Sequence, residues 1–210
     1  MTTQNGQISH AALEEPIRCL RRGGVVVFPT DTLYGLGADA FSPEAVGRVF
    51  DIKGRASSSG LPLLIADTAD LDMVAVDITG LALALAEEFW PGPLTLVLRR
   101  SDRVPAIATG GLDTVAVRIP DHPVPRALAR SVGRPITGTS ANRTDGPDPV
   151  TAGQVKESLG GAVDYIIDAG PSPLGAPSTI LDLSGARPAL LRAGAVPREA
   201  LELACGTPID

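Results

Sequence analysis

The chain has 210 residues, 44% of them hydrophobic and 20% charged, which excludes a disordered polymer and sets the scale of one ordinary globular domain. A formal net charge of −6 argues against a surface devoted to coating nucleic acid, so any polyanion must be bound locally. Two cysteines, Cys19 and Cys205, and two histidines, His10 and His122, are too few and too scattered for a disulfide framework or a multi-histidine centre, and no protein-held metal is expected.

From the amino end, Met1 to Arg22 mixes polar and charged residues and lacks the apolar core of a secretory signal. The longest apolar stretch, Leu81 to Ala86, is far short of the roughly 18 residues that cross a bilayer. A cytoplasmic chain with reduced thiols and no membrane association is expected. Val25 to Phe28 reads as a first, buried strand. The stretch Pro29-Thr30-Asp31-Thr32-Leu33-Tyr34-Gly35-Leu36-Gly37 leaves its carboxyl end, where open α/β sheets meet ligands, and is too long for a tight turn. Gly35-Leu36-Gly37-Ala38-Asp39-Ala40 also fits G-x-G-x-x-A. The strand ends well before it and the next helix starts only after Ser42, so the context of a dinucleotide fingerprint fails.

Ser42 is a good N-cap, Pro43 suits the first helical position, and Ala45, Val46, Val49 and Phe50 share one face. This helix should stop near Lys53-Gly54, with Gly54 as a left-handed cap. Lys53 and Arg55 then have two readings. They complement the negative end of the helix dipole, or they hold an anion under the hydroxyl-rich loop Ser57-Ser58-Ser59-Gly60, Arg55 as a bidentate fork and Lys53 as a mobile point charge.

Leu61 to Ile65 predicts a second strand. Leu81, Ala82, Leu85, Ala86, Phe89 and Trp90 predict a helix after Thr79, ended by Pro91-Gly92-Pro93. Leu94 to Leu98 and Val115 to Ile119 follow as strands. In the latter, alternation puts Val115, Val117 and Ile119 on one face and Thr114, Ala116 and Arg118 on the other. A small alanine between a hydroxyl and a guanidinium leaves room for a ligand, while an ordinary exposed strand face is the competing account. A helix should start at Pro123, with His122 as the turn residue before it. After a strand at Ile136 to Gly138, an extended Gly138-Thr139-Ser140-Ala141-Asn142 would align Gly138, Ser140 and Asn142 beside an open backbone, though turn chemistry alone accounts for many such clusters. A capping box at Thr151 and Gln154 starts another helix. Tyr165 to Ile167, Thr179 to Leu183 and Leu190-Leu191 read as strands, and a last helix starts near Pro197. The order of elements predicts an α/β sandwich with a mixed parallel and antiparallel sheet flanked by helices.

Taken in sequence, PTDTLYGLG, KGR, FWPGPLTLVL, DTVAVRIPDHP, TSAN, PSTILDL and LLRAG resemble the YrdC-like family, the threonylcarbamoyl-AMP synthases of tRNA modification. The match runs from about Gly24 to Val196. It implies a single YrdC-like domain of the short type over 1–210 and a twisted sheet around a concave cationic cleft. It also implies a reaction that joins L-threonine, bicarbonate or carbon dioxide, and ATP into threonylcarbamoyl-AMP and pyrophosphate. By motif, Thr32, Arg118, Gly138 and Ser178 would form the threonine pocket. Lys53, Arg55, Thr114, Ser140, Asn142 and Arg192 would hold ATP with its Mg2+, and Lys53 and Arg55 would carry catalysis. The resemblance further implies a functional link to a tRNA threonylcarbamoyl transferase and is compatible with weak tRNA binding. The family pattern is departed from at Leu61 and Ala66, where Asn and His are common, and at Asp148, where a small hydroxyl is common. Three other readings stand beside this one: a non-catalytic module that grips tRNA, a diverged paralogue with another amine substrate, and, last, a nicotinamide-dependent oxidoreductase built on Gly35 and Gly37.

Overall fold

The computed structural model describes residues 10–210, so residues 1–9 of the polar N-terminal segment lie outside the described residues. In chain order the elements are α1 (His10–Arg21), β1 (Val26–Phe28), β2 (Gly35–Gly37), α2 (Pro43–Lys53), β3 (Leu63–Leu64), β4 (Ala75–Val76), α3 (Gly80–Phe89), β5 (Leu94–Arg100), β6 (Thr114–Arg118), α4 (Pro123–Val132), β7 (Ile136–Thr137), β8 (Thr139–Ser140), α5 (Ala152–Leu159), β9 (Tyr165–Ile166), β10 (Thr179–Asp182), β11 (Ala189–Arg192) and α6 (Arg198–Cys205). The helix starts read from sequence have the predicted chemistry. Ser42 Oγ accepts from Ala45 N at 3.2 Å, Thr79 Oγ1 from Ala82 N at 3.2 Å, and His122 Nδ1 from Val124 N at 3.2 Å. Thr151 and Gln154 close a reciprocal capping box. Gly54 ends α2 in the left-handed region, at φ 61°.

The strands form two sheets rather than one. The smaller has the order β8-β2-β1-β9, and the larger β11-β10-β5-β6-β3-β7, with β4 on the far part of β5. Both are mixed: β1 runs parallel to β9 and antiparallel to β2, and β5 runs parallel to β10 and antiparallel to β6. The main core fills the space between the sheets and α2, α3, α5 and α6, drawing on Val25, Leu36, Val49, Leu85, Leu96, Val117 and Leu181.

β2 and α1 are not evident from sequence. The glycines of β2 serve packing: a Cβ on Gly35 would lie 2.8 Å from Phe28 Cε2, and one on Gly37 2.4 Å from Phe28 Cε1. These residues form a strand paired with β1, not the strand-to-helix turn of a dinucleotide site, which removes the structural basis of the oxidoreductase reading. Helix α1 contains Pro16, which costs a helix interior about 3 kcal/mol. Leu13, Ile17 and Leu20 nevertheless bury one face in a second core cluster with Val124 and Leu128 of α4. At about 1.5–3 kcal/mol for each such side chain, that burial outweighs the proline. Both cysteines are free thiols, Cys19 buried in the same cluster and Cys205 half-buried.

Segment 136–140 joins the sheets. β7 pairs with β3 of the larger sheet and β8 with β2 of the smaller, and between them Gly138 N donates to Pro62 O at 2.8 Å. A Cβ at 138 would lie 2.4 Å from Leu64 Cγ and 2.7 Å from both its methyls, so the crossing needs glycine. Gly138→Ala is expected to lose about 1–3 kcal/mol of stability through overpacking against Leu64. Urea denaturation checks this, and an unchanged midpoint with unchanged slope would refute it.

Candidate active site

The open face of the larger sheet forms the floor of a cleft of about 1040 Å³, at the top of the roughly 300–1,000 Å³ range of small-molecule sites. Alternation decides what it presents. On β6, Val115 and Val117 enter the core while Thr114, Ala116 and Arg118 face the cleft. On β5, Leu94, Leu96 and Leu98 enter the core while Thr95 and Val97 face the cleft. All ten residues singled out from sequence, Thr32, Lys53, Arg55, Thr114, Arg118, Gly138, Ser140, Asn142, Ser178 and Arg192, line this one space. Arg55, Arg118 and Arg192, far apart along the chain, therefore share a crevice. The lining mixes charges: four positive side chains face the cleft together with Asp145, Asp148 and Asp182.

Arg118 is buried and already partnered. Its Nε donates to Gly92 O at 2.8 Å, Nη1 to Thr32 Oγ1 at 2.8 Å, and Nη2 to Asp31 Oδ1 at 2.5 Å. Two of the five N–H groups of a guanidinium are left over. Burial pushes the guanidinium pKa down and the Asp31 carboxylate opposes that shift. The other carboxylate oxygen, Asp31 Oδ2, is buried and has no hydrogen-bond partner among the described residues. Thr32 Oγ1 also lies 2.9 Å from Thr30 Oγ1. The loop that carries these residues is tied down by Leu174 N donating to Asp31 O at 3.0 Å and Gly175 N to Thr32 O at 3.1 Å.

Lys53 corrects its expected role as a mobile charge. Its side chain is buried, and Nζ donates to Ser140 O at 2.6 Å, Asn142 O at 2.9 Å and Asn142 Oδ1 at 3.1 Å. All three ammonium hydrogens have protein acceptors, so Lys53 is a clamp on segment 140–142 as well as a charge. Asn142 Nδ2 extends the clamp to Gly146 O at 2.7 Å, and Ser140 Oγ donates to Asn142 Oδ1 at 2.8 Å. Burial, helped by repulsion from Arg55 and opposed by Asp148, lowers the Lys53 pKa from 10.5 to about 8. Arg192 is fixed by Ser178: Nε donates to Ser178 O at 3.0 Å, and Nη2 to Ser178 O at 2.7 Å and Ser178 Oγ at 3.0 Å. Burial pushes its pKa down; Asp148 raises it and Arg55 lowers it. Asp148 thus sits within electrostatic reach of two of these cations.

The Sua5_yciO_yrdC family, described as telomere recombination, matches residues 18–194. The chain is 46% identical over 187 residues to the threonylcarbamoyl-AMP synthase of Pyrococcus abyssi, covering 89% of this chain and 55% of that protein. The chain belongs to the Sua5/YciO/YrdC family. It is also 40% identical over 207 residues to the threonylcarbamoyl-AMP synthase of Bacillus subtilis, covering 98% of this chain and 58% of that one. A crystal structure of P. abyssi Sua5 complexed with L-threonine superposes with a TM-score of 0.94 at 42% identity, over 97% of this chain and 60% of that chain. The chain therefore spans little more than half the length of these relatives.

Of the positions that depart from the family pattern, Leu61 and Asp148 line the cleft. Ala66 does not: it is buried in the second core cluster, and its carbonyl accepts from Arg126 Nε at 3.1 Å. Sequence reasoning missed two residues. Thr95 was hidden in an apolar strand, although a lone hydroxyl among four aliphatic residues was the available signal. Asp31 lay within a motif already singled out, but its partner is 87 residues away, and no local pattern points to it.

Because the folded pKa of Lys53 lies below that of an exposed lysine, the unfolded chain holds more protons at this site between about pH 8 and 10.5. Over that window the group's contribution makes stability rise with pH, while the cleft loses positive charge. Affinity for a non-hydrolysable ATP analogue is therefore expected to weaken as pH rises through about 8, a component that Lys53→Met should lack when calorimetric titrations of the two proteins are compared. Asp148→Asn, which removes the carboxylate facing Lys53 and Arg192, should tighten the same ligand at neutral pH; weaker binding would refute that role.

Proposed function

We propose that this chain carries the synthase chemistry its relatives are named for, condensing L-threonine, bicarbonate or carbon dioxide, and ATP into threonylcarbamoyl-AMP. On this reading it is a nucleotidyltransferase of the cytoplasm, and a tRNA threonylcarbamoyl transferase consumes its product. The observation that carries the proposal is the gathering of Lys53, Arg55, Arg118 and Arg192 around one cleft large enough for an amino acid and a nucleotide together.

The threonine amine attacks carbon dioxide and loses a proton, giving a carbamate; with bicarbonate the same bond forms and water leaves. A carbamate oxygen then attacks the α-phosphorus of ATP, the bond from that phosphorus to the bridging oxygen breaks, and pyrophosphate departs with the Mg2+ that ATP brought. No protein nucleophile is needed, so catalysis is positioning and charge stabilisation. Arg118, held by Thr32 and Asp31, presents its remaining N–H groups to the threonine carboxylate, with Gly138 backbone and Ser178 completing the pocket. Lys53, Arg55 and Arg192 face the phosphates, and Thr114, Ser140 and Asn142 supply hydrogen-bonding groups to the nucleotide. The non-catalytic tRNA-gripping module is not favoured, since the relatives are named as synthases and the protein is acidic.

Pyrophosphate release from ATP should require threonine and bicarbonate together, and a release rate indifferent to both would sink the proposal. Arg55→Ala is expected to lower turnover by about 10²–10³-fold, the effect of removing one charge-stabilising donor, without a comparable loss in thermal stability.

A further inference from the structure

Thr95, which lies in the FWPGPLTLVL segment but to which the family resemblance gives no role, sets the direction of a hydrogen bond at the floor of the cleft. Its residue is fully enclosed, and Ser178 Oγ, at 2.8 Å, is the one hydrogen-bond partner of its hydroxyl among the described residues. A hydroxyl has one hydrogen and two acceptor positions, and a buried polar hydrogen needs an acceptor. If Ser178 donated to Thr95, the Thr95 hydrogen would be left at the solvent-excluded floor of the cleft with no acceptor. With Thr95 donating, that loss is avoided. Ser178 Oγ then accepts twice, from Thr95 and from Arg192 Nη2 at 3.0 Å. Both its acceptor positions are filled, and its own hydrogen is left for whatever occupies the cleft.

The rest of Ser178 cannot adjust. Thr179 N donates to Pro93 O at 3.0 Å and Ala195 N to Pro177 O at 3.0 Å, pinning the backbone on both sides. A Cβ on Gly194 would come within 2.5 Å of Ser178 C, so the neighbouring chain lies directly on this peptide. With the backbone held, the position and rotor of the Ser178 hydroxyl are set by its two neighbours, Thr95 and Arg192.

We propose that Thr95 is a positioning residue that makes Ser178 an obligate hydrogen-bond donor, and that this donor reads the side-chain hydroxyl oxygen of the amino acid substrate. The inference rests on the threonine reading above. Threonine has acceptor oxygens in its carboxylate and its hydroxyl. The carboxylate is assigned to Arg118 and the amine must stay free to react, which leaves the hydroxyl for Ser178. Valine, which replaces that hydroxyl with a methyl, leaves the donor unmet, and an unmet buried donor is a strong basis for rejection.

The test compares calorimetric affinities for L-threonine and L-valine in the wild-type protein, Thr95→Val and Thr95→Ser. The wild type should prefer threonine. Thr95→Val keeps the shape but frees the Ser178 rotor, and should erase about tenfold of that preference, mostly through weaker threonine binding; Thr95→Ser should restore it. A Thr95→Val protein with the wild-type preference would overturn the proposal, as would an equal loss of affinity for both amino acids or a Thr95→Ser protein that fails to recover. Absence of threonine binding in the wild type would instead overturn the functional reading, and this inference with it.

Discussion

Segment 136–140 contributes a strand to each sheet, and Gly138 makes this feasible because Leu64 fills the volume a Cβ would need. That close approach holds the two sheets at a fixed separation along one line. The cleft opens beside the line, with the face of β5, β6 and β10 as floor and segment 138–142 as one wall. From the opposite side, the Lys53 ammonium reaches that wall from the end of α2 and bonds three of its oxygens. A helix, a sheet crossing and a loop are thereby fixed by one glycine contact and one buried cation. Neither is replaceable by a residue of merely similar polarity.

A buried lysine is costly unless its hydrogens are met. Here they are met by neutral oxygens, so the ammonium is not cancelled by a carboxylate in direct contact. Arg192, though exposed, is likewise held by neutral oxygens, the carbonyl and hydroxyl of Ser178. Lys53 and Arg192 are in this way anchored by dipoles, while Asp145, Asp148 and Asp182 share the lining of the cleft. Asp148 moderates the arrangement, acting on both Lys53 and Arg192 from within the same lining.

What could be read in the sequence follows from how local each signal is. The β6 face was legible because its two sides differ in chemistry, three β-branched aliphatics against Thr114, Ala116 and Arg118. On β5 the same alternation exists but Val97 follows Thr95 on the cleft side, so both faces look dry and the hydroxyl is lost in an apolar run. β2 has one side chain in three residues and thus no pattern to read. In α1 the spacing of Leu13, Ile17 and Leu20 suits a helix and Pro16 disfavours one, and the outcome is decided by tertiary burial that no local pattern contains. The division into two sheets depends on contacts between segments distant in the chain, such as Gly138 against Leu64, which no window along the sequence contains.

The cations of the cleft differ in how they are neutralised, and on the proposed reading the difference suits the two parts of the substrate set, an amino acid and a nucleotide. Arg118 is paired with Asp31 inside the protein, so it contributes direction and fork geometry but almost no net charge. A pair of that kind binds poorly to a bare anion, whose charge would face Asp31 across the guanidinium. It is matched to a zwitterion, whose carboxylate meets Arg118 while its ammonium is near enough to offset the repulsion. Lys53, Arg55 and Arg192 have no carboxylate in direct contact among the described residues, and the field of Arg55 reaches both Lys53 and Arg192. Burial is the main cause of the lowered pKa values of Lys53 and Arg192, and repulsion from Arg55 adds to it; a polyanion entering between these cations would relieve that repulsion. On the proposed reaction, binding energy of that origin would be largest at the phosphates and would grow as charge moves onto the departing pyrophosphate.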